Sequence, residues 1–179
     1  MCIRDSFRQE FHARCGYSRS SQPRLIVLVI KKRRPTPCVG ICSTTFGDLV
    51  CRGCKRFSHE IVDWNSYDDA QKETIWERLE TFKKQVVGQI VQFEDQALFQ
   101  LAIETQKIKE PEDYQAIYLL LQRLVSHSKT LSFAGLENVS PDFEITEGGI
   151  DSLLTLQQID REIVTRSRAY YERSYKVSA

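Results

Sequence analysis

Four of the six cysteines fall close together, as Cys38, Cys42, Cys51 and Cys54, and this cluster constrains the chain more than any other feature. The spacing Cys-x3-Cys-x8-Cys-x2-Cys gives two close pairs joined by a short loop. Each pair can turn its sulfurs toward one point, as a tetrahedral thiolate site requires. Gly40 and Gly53 lie inside the pairs, where glycine lets the backbone bend and aim N–H groups at sulfur. Arg52, Lys55 and Arg56 sit beside the second pair, and their charge offsets that of a thiolate centre. The expectation is one metal centre per chain, with Cys38, Cys42, Cys51 and Cys54 as ligands. Zinc and an iron–sulfur cluster both suit such spacing. The competing readings are chance adjacency and a redox Cys51-Arg52-Gly53-Cys54 pair; the latter needs a strand–helix context that the sequence lacks. A closed four-ligand site has no open position for substrate, so an enzyme is not expected.

The 179 residues are 41% hydrophobic and 27% charged, which is ordinary for a globular chain. Charge is uneven: residues 1–35 hold nine Lys/Arg against Asp5 and Glu10, and the rest is mildly acidic. A broad nucleic-acid surface on the body is therefore not expected. Residues 1–35 are rich in Arg and Ser, without helical periodicity. They read as a basic, disordered leader, or as upstream sequence translated from a wrong start, in preference to an arm that touches phosphate. The apolar run Leu25–Ile30 has strong strand propensity but is far short of the roughly 20 residues of a membrane helix. No membrane association is expected and cytoplasmic residence is, where thiols stay reduced.

Three regions follow: the leader at 1–35, a four-cysteine metal-binding knuckle at 36–65, and a helical region at 66–179. Pro35-Thr36-Pro37 holds an extended entry. A hairpin is expected to turn near Phe46-Gly47-Asp48, and Ser58 to cap a short helix through Trp64. Ser66, with Asp69 three residues on, predicts a capping-box start to a long helix. The stripe Ile75, Leu79, Phe82, Val86, Ile90, Phe93, Ala97 and Leu101 predicts that this helix runs unbroken to about Lys107. Pro111, Glu112 and Asp113 open another, with Ile117, Leu120, Leu121 and Leu124 inward. Residues 126–149 read as a polar connection whose Leu131, Phe133 and Leu136 cover a helix end. A last helix spans about 150–171, with Leu153, Leu156, Ile159 and Ile163 inward and Tyr170, Tyr171 and Tyr175 at a fraying end. The fold class is mainly α: a small four-cysteine knuckle followed by a bundle of about three helices.

Thr36-Pro37-Cys38-Val39-Gly40-Ile41-Cys42, Cys51-Arg52-Gly53-Cys54-Lys55-Arg56 and Glu60-Ile61-Val62-Asp63-Trp64 together resemble a small bacterial family of unknown function. Its members are described as predicted iron–sulfur proteins, YdhL-like. The resemblance covers residues 35–80. It implies a metal-binding module with the four cysteines as ligands, and no reaction. Three roles are weighed. The first is a non-enzymatic interaction or regulatory module presenting Arg52, Lys55, Arg56 and Phe57 to a protein or nucleic-acid partner. The second is an iron–sulfur electron carrier or redox sensor. The third, weaker, is a nucleic-acid-binding regulator. Among single residues, His59 reads as a surface residue before a spare ligand, and Trp64 as packing between the knuckle and the long helix. Asp151-Ser152-Leu153 resembles a phosphopantetheine attachment site, but a plain helix start explains it better.

Overall fold

The apolar stripe that follows the cysteines folds as helix, but in two pieces. In the computed structural model, which describes residues 35–110, 112–144 and 150–175, helix α1 spans Ser58–Val62 and α2 spans Asp69–Ile90. The basic leader, the Leu25–Ile30 run, Pro111 and the Gly148-Gly149 pair lie outside the described residues. Helix α2 is capped by Asp68, not Ser66. The Asp68 carboxylate accepts from Gln71 N–H at 2.8 Å, and Gln71 Oε1 accepts from Asp68 N–H at 2.9 Å. Two first-turn amides are thereby satisfied. Ser66 instead donates its hydroxyl to the Asp63 carbonyl at 2.7 Å.

The predicted continuation to Lys107 fails at Ile90. Strand β1, Val91–Phe93, pairs antiparallel with β2, Leu136–Asn138, in the register Val91 with Asn138 and Phe93 with Leu136. Asp95 then starts a fresh helix, α3 at Gln96–Thr105, by accepting from the N–H groups of Ala97 and Leu98. Gly135 locks this corner. Its carbonyl accepts from both Glu94 and Asp95 N–H, at 2.9 and 3.1 Å, and it sits in the left-handed region with φ +62°. The three- and four-residue spacing persists through Phe93, Ala97 and Leu101, yet in α3 the buried side chain is Phe99, while Leu101 is exposed.

Helix α4 spans Asp113–Ser126 and buries Ile117, Leu120, Leu121 and Leu124, as its stripe predicts, together with Ala116. Helix α5 spans Asp151–Tyr175, longer than expected. Ile159 and Ile163 face the core, but Leu153 does not; the other buried positions are Ser152, Thr155 and Ser167. These small polar side chains satisfy neighbouring groups: Ser152 Oγ donates to the Lys129 carbonyl at 2.6 Å, and Thr155 Oγ1 accepts from Asn138 of β2 at 2.9 Å. Helices α2, α4 and α5 pack on one another around Val86, Val87, Leu120, Leu121 and Ile159. The connection after α4 carries a 3-10 turn, Ser132–Ala134, ahead of β2. Leu131 and Leu136 are buried there as expected, whereas Phe133 is exposed. The described chain is thus mainly helical, and none of its helices is long and apolar enough to cross a membrane.

Candidate metal centre

Irregular residues lead from Pro35, through a bend at Gly40, into a 3-10 turn, Ser43–Phe46, which ends at Gly47 with φ +92°. Gly47 therefore closes a helical turn and is not a hairpin tip. The hairpin contact comes later. Val50 bridges Phe57 antiparallel, Cys51 N–H donates to the Arg56 carbonyl at 2.9 Å, and Ser58 N–H donates to that of Leu49 at 2.9 Å. The second cysteine pair forms the tip, closed by Lys55 N–H on the Cys51 carbonyl at 2.8 Å. Lys55 takes the strained left-handed conformation, φ +60°, that so tight a reversal needs. Ser58 is then the first residue of α1, not its cap. Glu60 reaches back instead, Oε2 accepting from Phe57 N–H at 2.8 Å.

The four described cysteines are free thiols, with Cys51 and Cys54 buried, Cys42 half-buried and Cys38 exposed. Burial alone would raise the Cys51 thiol. The backbone N–H groups of Cys54, Ser43 and Gly53, with the Cys54 side chain, outweigh it and bring Cys51 down to about 7. Cys54 moves the other way: burial raises it, and Arg56, with Nε 3.4 Å from Cys54 Sγ, only partly offsets that. The Cys42 sulfur is 2.9 Å from Thr44 Oγ1. Cys51 Sγ lies 3.7 Å from the Ile41 carbonyl. A Cβ on Gly53 would stand 2.7 Å from Val39 Cγ2 and 2.9 Å from the Ile41 carbonyl. The segment between the first two cysteines therefore lies directly over the tip that holds the second two. The structure pairs Cys51 with Cys54. Among the described residues, no group of three or more His, Cys, Asp or Glu side chains is close enough to hold a metal ion, so Cys38 and Cys42 are not gathered with them.

The basic face expected beside the second pair is not formed. Arg52 is exposed and pairs with Asp48 at 2.9 Å. Lys55 turns inward to Asp160 of α5 at 2.6 Å. Arg56 is buried with its guanidinium 4.6 Å above the Trp64 ring, and Phe57 is fully buried. Two of the three cations and the phenyl ring are thus used for internal packing. Trp64 also receives Lys72 of α2 at 5.9 Å, so it does join the cysteine segment to the long helix. His59 is no ligand here; its ring packs on Tyr175 at 4.9 Å and Phe57 at 5.7 Å. Tyr170, Tyr171 and Tyr175 surround Phe57 with centroids 5.1 to 6.2 Å away, so the end of α5 docks on the cysteine hairpin instead of simply fraying. Ser152 is fully buried, which removes the phosphopantetheine reading.

Sequence reasoning missed the polar links behind this face. Arg78 of α2 stacks on Phe57 at 3.8 Å and pairs with Glu60 at 2.6 Å. Tyr118 of α4 donates to Asp160 at 3.0 Å beside Lys55. The clue available was the aromatic crowding of Tyr170, Tyr171 and Tyr175 near one turn of helix.

A family model described as a protein of unknown function, DUF1289, matches residues 36–83. It covers the cysteine segment, α1 and the first two-thirds of α2, close to the stretch expected to resemble a small family of unknown function. No curated protein and no solved structure gives a match to the chain.

Proposed function

We propose that the chain is a non-enzymatic metal-binding module whose Cys38, Cys42, Cys51 and Cys54 hold one metal centre, zinc or an iron–sulfur cluster. The observation that carries this reading is the hairpin tip. Cys51 and Cys54 are neighbouring, buried and not joined in a disulfide, with backbone N–H groups aimed at one sulfur and the Arg56 guanidinium at the other. Such donors favour thiolates, the form in which cysteine binds metal. Cys38 and Cys42 flank the segment that Gly53 allows to lie across this tip. The donor set, four sulfurs on a short loop, fits either group. When bound, zinc would fasten the loop, and a cluster would supply one-electron transfer. Clustered thiols serving as metal ligands suit a cytoplasmic setting, where thiols stay reduced.

In this reading the module acts through a protein partner or through redox change. A nucleic-acid role is disfavoured, because of the basic trio only Arg52 is exposed. Elemental analysis and a visible spectrum of the full chain, purified anaerobically, test the proposal. One zinc per chain without colour marks a structural module; iron with acid-labile sulfide marks an electron carrier or redox sensor. Cys51→Ser is expected to lose the metal in either case. Absence of metal from the wild-type protein, or full occupancy in the variant, would sink the shared site.

A further inference from the structure

A second candidate site lies outside the family-matched stretch, in a groove between α3, α4 and the 3-10 turn at Ser132–Ala134. It encloses about 550 Å³, within the roughly 300–1,000 Å³ of small-molecule sites. Leu98, Leu101 and Phe133 line it, and all three are large apolar side chains left exposed. Arg123, His127 and Lys129 line it too, with no acidic side chain among the lining residues. Basic side chains at the end of α4 would ordinarily be explained by the helix dipole. Here the last carbonyls are already served. Ser126 Oγ donates to Gln122 O, while the N–H groups of His127, Ser128 and Lys129 donate to the carbonyls of Arg123, Leu124 and Val125. Among the described residues, none of these three basic side chains makes a hydrogen bond or ion pair. The Lys129 ammonium only overlies the Phe133 ring, at 4.9 Å.

We propose that this groove binds a medium-chain fatty acid, its hydrocarbon against Leu98, Leu101 and Phe133 and its carboxylate among Arg123, His127 and Lys129. Charge complementarity selects this occupant. An apolar lining that also carries Arg123, His127 and Lys129, with no acid to offset them, favours an amphipathic anion over a neutral or cationic one.

Calorimetric titration of the full chain with decanoate tests the site, with decanol and decyltrimethylammonium as neutral and cationic matches. Decanoate is expected to bind with decanol about ten- to hundredfold weaker, the worth of a charge-assisted hydrogen bond. Replacing Arg123 and His127 together by Gln should weaken decanoate by a similar factor and leave decanol unchanged. Leu101→Glu should abolish binding without lowering the thermal midpoint, because Leu101 is 59% exposed. No heat at millimolar decanoate, equal binding of the three amphiphiles, or binding that survives Leu101→Glu would each overturn the proposal.

Discussion

At the scale of single residues, the Cys51 thiol makes metal-free stability depend on pH. Its ordinary value is 9.0 and its folded value about 7. Below pH 7 both folded and unfolded chains keep the proton, and nothing is gained. Between 7 and 9 the unfolded chain holds the proton that the folded chain has lost, so stability rises with pH. Cys54, raised by burial, works in the opposite sense only above its ordinary 9.0. Urea unfolding of the metal-free protein should therefore strengthen from pH 6.5 toward 9, and Cys51→Ser should flatten that rise. An unchanged slope in the variant would assign the effect elsewhere. The same residues show how far local sequence reaches. Paired spacing and an intervening glycine announced Cys51 and Cys54, because both are properties of a few adjacent positions. The fates of Lys55, Arg56 and Phe57 depend on Asp160, Trp64 and Arg78, and no local pattern announces those partners.

Among elements, the corner between α2 and α3 is the place where periodicity misleads. The apolar spacing runs through it, but Asp95 offers its carboxylate to two amides and Gly135 offers its carbonyl to two more. The four backbone donors that leave the helical ladder at this break all find partners that way, so the corner forms without an unpaired amide among them. A Cβ at Gly135 would meet the Asp95 carbonyl oxygen at 2.1 Å, with the backbone already in a left-handed conformation. Gly135→Ala is expected to cost about 3 kcal/mol or more in chemical denaturation. Asp95→Ala, which removes only the cap, should cost about 1 kcal/mol. Comparable costs would mean that the tight approach at Gly135 relaxes freely. The helices themselves were legible wherever an apolar face is wide, as in α4. The three-residue strands were not, because so short a segment carries too little alternation to separate it from a helical stripe.

Across the whole molecule, the cysteine hairpin and the helices share one aromatic cluster. Phe57 is fully buried among Arg78 and the three tyrosines of α5. Phe57→Ala should destabilise by about 3–5 kcal/mol. It should do so in one transition seen alike by tryptophan fluorescence, which reports on Trp64 and Trp76, and by far-UV circular dichroism. Separate midpoints for the two signals would show that the hairpin melts on its own.

The Lys55–Asp160 pair joins residues 105 positions apart. During synthesis the cysteines leave the ribosome long before α5 exists, so their flank waits uncovered while most of the chain is still being made. Any metal that binds at that stage would meet a loop whose supporting wall has yet to be built, and the finished setting for the thiols arrives only with the last helix.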